Sequence, residues 1–231
     1  MKTKTRVLIL ILLFCTSHVW AHTSRQNDFI CPIGGESFSQ MMDMSGTSFG
    51  RYLDLKPFGP IAAPWSLPVC PGNQFVMYKD KFTDEEIQTL AKYIESEEYK
   101  KITKESTYYR AAQLQRQLNE PVEKIANTLL QATWQRSSYQ QEALDEYKKY
   151  IQKLETSKDK KELENDETWI TAQLVSLELE RRTGQFEDAM QRLIRLLKFE
   201  RFNDESLVFK KILDLQKKLI SEKDRNTHEV P

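Results

Sequence analysis

The stretch AQLVSLELERRTGQFEDA, residues 172–189, decides the fold class. A long run free of glycine and proline leads to Gly184, and a second run opens at Phe186. A glycine just past the last periodic residue supplies the positive φ that ends an α-helix. The spacing predicts a helix over 167–183, a turn at Gly184 and a second helix over 186–197. Along that second helix Phe186, Ala189, Met190, Leu193, Ile194 and Leu197 share one stripe.

Working outward, almost everything from Thr83 onward has helical spacing. Thr83-Asp-Glu-Glu86 forms a capping box, and Ile87, Leu90, Ala91 and Ile94 then lie on one face. A second helix fits Thr107 to Leu118, with Asn119-Glu-Pro121 as the turn. A third, from Pro121 to about Arg136, buries Val122, Ile125, Leu129 and Leu130, and a fourth runs from Tyr139 to Leu154. SKDKKELEND, residues 157–166, reads as a solvated charged connection or a frayed helix end. The last helix is expected from a cap at Asn203 to about Lys223, and DRNTHEVP, residues 224–231, as a disordered tail. Glu and Asp on these helices mostly stand three or four residues from Lys or Arg, the pattern of solvated faces.

Before residue 83 the composition changes. Six of the seven glycines and six of the eight prolines fall between His22 and Lys81, so that segment must turn repeatedly. Short extended pieces are expected at Phe49–Leu55 and Gln74–Tyr78. The fold class is therefore mainly α: helical hairpins over 83–223, preceded by a small β- and loop-rich unit over 22–82.

The first 21 residues read as a secretory leader. Lys2, Lys4 and Arg6 precede the apolar run Val7–Phe14, and Val19 and Ala21 suit a cleavage site. Eight apolar residues are too few to span a bilayer. The expectation is a periplasmic or secreted protein that starts at His22 after cleavage at Ala21, with no transmembrane segment. Removing the leader takes three basic residues and no acid, so 34 of each sign become 31 basic against 34 acidic, a net charge of −3. That balance offers no basic field for nucleic acid. Cys31 and Cys70 are the cysteines left, and an oxidising compartment awaits both.

The stretch 172–189, with its Gly-x-Phe-x-x-Ala turn, resembles a tetratricopeptide repeat. YYRAAQLQRQLNEPVEKIANTLL, beginning at Tyr108, is a weaker copy, and no regular 34-residue period runs through the chain. Together with Cys31-Pro-Ile-Gly34-Gly35, Cys70-Pro-Gly-Asn73-Gln74 and LLQATW at 129–134, it is similar to an uncharacterised bacterial family, a domain of unknown function. In that family two Cys-Pro-x-Cys-Gly zinc-ribbon knuckles precede tetratricopeptide-like helices. The resemblance implies architecture and hardly any activity. Both knuckles here lack the second cysteine, replaced by Gly34 and Asn73, so a full four-ligand zinc site is not expected. First cysteines of paired knuckles lie close together, so the resemblance implies a Cys31–Cys70 disulfide in place of the metal, against free thiols or a residual metal site.

Motifs of catalysis are missing: no Gly-x-Ser-x-Gly elbow, phosphate loop, His-Glu-x-x-His helix or cysteine–histidine pair occurs. The expectation is a non-enzymatic protein, with no cofactor, that holds an envelope protein or peptide. Candidate partner-binding residues are Trp65, on a proline-rich loop, and Tyr108, Tyr109, Trp134 and Trp169. Packing between helices is the commoner fate of such aromatics. The alternative is metal handling, with Cys31, Met41, Met42, Met44 and His22 as copper or zinc ligands.

Overall fold

The computed structural model describes residues 22–203 and 208–231, so the expected leader and residues 204–207 lie outside the described residues. The chain is mainly helical, with a small β-rich unit ahead of the helices. In that unit β1 (Thr23–Ile30) and β2 (Ser37–Ser45) form an antiparallel ribbon, and β3 (Gly50–Arg51) pairs with β4 (Pro57–Phe58). The extended pieces expected at 49–55 and 74–78 shrink to β3 with a bridge from Tyr52 to Glu229, and to a bridge between Val69 and Val76. The ribbon itself escapes a period-two reading, because β1 is solvated on both faces along most of its length.

Nine helices follow among the described residues. They are α1 (Asp84–Ile94), α2 (Glu97–Ile102), α3 (Thr107–Gln117), α4 (Val122–Gln135), α5 (Gln140–Ser157), α6 (Lys160–Glu164), α7 (Glu167–Arg182), α8 (Phe186–Leu196) and α9 (Val208–Ser221). The capping box closes as expected: the Glu86 amide donates to the Thr83 hydroxyl at 3.2 Å, and the Thr83 amide to the Glu86 carboxylate at 2.8 Å. A second box, Asp159 with Glu162, turns the expected charged connection into α6, whose Leu163 is buried. Gly184 takes a φ of +83°, and its amide donates to the Arg181 carbonyl at 3.0 Å.

From α3 to α9 each long helix packs on the next, and α7 touches α5, α8 and α9. That central place overturns the solvated-face reading for α7. Glu178 and Arg181, three residues apart, are fully buried and bonded at 2.8 Å. Arg192 of α8 reaches Glu180 through two bonds of 2.7 Å. Burial pushes the Glu178 carboxyl above the usual range, opposed by Arg181 and Gln216.

Residues 224–231 are not the expected disordered tail. Arg181 donates to the Asn226 carbonyl at 2.8 Å, the Leu53 amide to His228 and the Val230 amide to Arg51, both at 2.9 Å. The segment thus ties α7 to the β-rich unit. That unit also shares its core with the helices: Cys31, Cys70, Phe75 and Val76 pack with Leu90, Tyr99 and Leu114. The boundary at residue 82 is a change of secondary structure inside one core.

Candidate functional site

Two turns of the same design face each other in the β-rich unit. In the first, the Cys31 amide donates to Glu36 and the Gly35 amide to the Cys31 carbonyl. In the second, the Cys70 amide donates to Phe75 and the Gln74 amide to the Cys70 carbonyl, so each bond recurs at the same offset. The corresponding residues Gly35 and Gln74 both adopt positive φ, +70° and +61°. Tyr99 and Arg110 hold the Gln74 carbonyl at 2.8 and 2.9 Å.

The two first cysteines are joined as a disulfide with Cα atoms 5.6 Å apart. Asn73 donates to the Ile33 carbonyl across the pair at 2.8 Å and accepts from the Phe75 amide at 3.0 Å. Glu36 accepts from the Gly72 amide at 2.8 Å. A covalent bond and an amide bridge thus span the two turns.

The paired turns position a proline-rich loop. From β2, Gln40 donates to the Leu67 carbonyl at 2.9 Å and accepts from the Val69 amide at 3.0 Å. Asp43 accepts from the Ser66 amide at 2.8 Å and its hydroxyl at 2.6 Å, and meets His22 at 2.9 Å. Partial burial raises the Asp43 pKa, but the Ser66 and His22 bonds outweigh it and hold the carboxyl below the usual range. Trp65 is thereby presented beside α4.

Between that loop and α4 lies a cleft of about 350 Å³, lined by Trp65, Pro64, Leu55, Leu130 and Trp134, with Arg51 and Gln131 among its polar groups. The Trp134 indole donates to the Asp54 carbonyl at 3.3 Å, which fixes the ring between the two units. Asp54 is buried and paired with Arg182 at 2.6 Å. The cleft lining carries no carboxylate, imidazole or thiol, so it suits binding by shape and apolar contact.

Two of the five aromatic candidates therefore meet in one place, Trp65 and Trp134. The others do not join them. Trp169 is 1% exposed and packs on Phe199 and Phe202. Tyr108 is buried with Ala132 and Tyr139 under Leu67. Tyr109 stacks on Tyr139 with centroids 4.4 Å apart. Helical periodicity cannot separate aromatics between helices from those beside a loop 69 residues away in sequence, such as Trp134 beside Trp65. The Leu55 wall and the supporting Gln40 and Asp43 were missed for the same reason.

The metal-ligand set loses Cys31, which is in the disulfide. Met41 and Met44 are exposed on β2, and His22 is held by Asp43. Among the described residues no cluster of three His, Cys, Asp or Glu side chains is placed to hold a metal ion. Nor is any described helix long and apolar enough to cross a membrane. Compared with protein-family models, with curated proteins and with solved structures, the chain matches none.

Proposed function

We propose that this chain is an exported, non-enzymatic binding module of the bacterial envelope, a variant of the two-knuckle family in which a disulfide stands for the metal. Its role is to hold a peptide or protein segment in the Trp65–Trp134 cleft. The observation that carries this reading is the cleft itself: two tryptophans, one on a braced loop and one pinned by a hydrogen bond, flank an open apolar slot. Tryptophan pairs in such slots serve as anchors because they bury much area and lose few rotamers. An occupant would place one apolar side chain between the rings, with Arg51 and Gln131 meeting its main-chain carbonyls.

A photo-crosslinking amino acid at position 65, in a chain exported by an expressing cell, tests this reading. The expected result is a discrete adduct that depends on illumination and is lost when Trp134→Ala is added. A folded, exported chain that gives no adduct would contradict it. Metal handling keeps only Met41, Met42, Met44 and His22 as ligands, and no observation gathers them at one point.

A further inference from the structure

Residues 224–231 show little of their side chains to the protein and much of their backbone. Asp224, His228 and Val230 are half-buried, while Arg225, Asn226, Thr227, Glu229 and Pro231 are exposed. The main chain is held at five points: the Asp224 amide donates to the Leu219 carbonyl at the end of α9, Arg181 donates to the carbonyls of Asp224 and Asn226, and main-chain bonds join His228 to Leu53 and Val230 to Arg51. Tyr52 stands opposite Glu229 in an antiparallel bridge. The other edge of the Arg51–Leu53 strip faces β4, where the Tyr52 amide donates to Lys56 at 2.9 Å. Residues 228–230 thus lie antiparallel along the strip, joined by one isolated bridge and its two main-chain bonds, on the edge opposite β4. Only Val230 contributes an apolar side chain, packed on the cluster of Leu53, Ile212 and Leu219.

We propose that residues 224–231 are a ligand held in cis, and that the strip Arg51–Leu53 with Arg181 is a docking site for extended polypeptide. The same site takes this segment when it is supplied in trans. Recognition by strand addition draws affinity from main-chain bonds and selectivity from a side-chain socket. Here the socket takes the β-branched Val230, four residues after the Asn226 carbonyl that meets Arg181. Arg181 is suited to the task because its guanidinium is fully buried and Glu178 balances its charge, leaving the remaining N–H groups to reach carbonyls. This site adjoins the Trp65–Trp134 cleft through Arg51, whose main-chain carbonyl serves here, and does not depend on that reading.

The test uses the full chain with a protease site inserted between Lys223 and Asp224, cut after folding. The cut chain should retain its octapeptide through gel filtration and exchange it for a fluorescein-labelled DRNTHEVP peptide with saturable binding. Val230→Asp in the labelled peptide, or Arg181→Lys in the body, should weaken that binding by about tenfold or more, and Thr227→Ala in the peptide should leave it unchanged. A cut chain that keeps its helical circular dichroism but releases the peptide and binds no labelled copy overturns the proposal. A cut chain that unfolds overturns it too, since the segment would then be part of the folding unit and not a ligand.

Discussion

At the scale of single residues, Cys31 and Cys70 carry the largest share of the β-rich unit's stability. The bond closes a loop with a sequence separation of 39, which on the chain-entropy account stabilises by about 4 kcal/mol. The double change Cys31→Ala with Cys70→Ala should lower the unfolding free energy by about that amount in urea titration, and dithiothreitol should reproduce the loss in the unaltered chain. Asn73 adds a smaller contribution through its bonds to Ile33 and Phe75, of about 1 kcal/mol. The cysteines were legible as a pair through the resemblance of both Cys-Pro turns to paired knuckles, whose first cysteines lie close together. The bracing of Trp65 by Gln40 and Asp43 was not, since those contacts join residues whose nearness only the folded ribbon creates.

At the scale of elements, α7 and its two ends concentrate the testable consequences. Gly184 has a φ of +83°, and an added Cβ would meet nothing nearer than Arg225 at 3.7 Å. Space is therefore not the constraint, and Gly184→Ala should lose about 1 kcal/mol from backbone strain alone, read as a lower melting temperature. At the other end Asp166 caps α7 through the amides of Thr168 and Trp169 and pairs with Lys158. Partial burial raises its pKa, but these bonds prevail and bring it from 3.8 to about 2. A depressed carboxyl stabilises the fold above its unfolded value, and that contribution fades as pH falls from 3.8 toward 2. Asp166→Asn should thus lower stability by about 1 kcal/mol near neutrality, after allowance for solvent screening, and match the parent chain in acid once the parent's Asp166 is protonated in the folded state. In the helix interior Glu178→Leu leaves Arg181 buried without its partner, and about 3 kcal/mol should be lost in the same urea assay. The helices were readable from caps and stripes because both are local. That the Glu178–Arg181 pair is internal was not, because an i,i+3 pair has the same spacing on a buried face as on a wet one.

At the scale of the whole molecule, the β-rich unit and the helices are joined at several places, among them the disulfide core packed on α1 to α3, Asp54 with Arg182, and residues 224–231 along the Arg51–Leu53 strip. The change of composition near residue 82 marks where strands give way to helices and says nothing about these joints, whose partners lie far apart in sequence, 128 residues for Arg182 with Asp54 and more for Val230 with Arg51. Local polarity likewise misled at 224–231, because a segment recognised through its backbone needs no apolar pattern. Export and a disulfide in place of metal are the claims on which the rest of the functional reading stands. The most direct measurement is the intact mass, native and denatured, of the chain recovered from the periplasm of an expressing cell. The account predicts a species starting at His22, two hydrogens lighter than its reduced form and free of metal. A reduced chain carrying a zinc or copper ion, or one retaining residues 1–21, would contradict it.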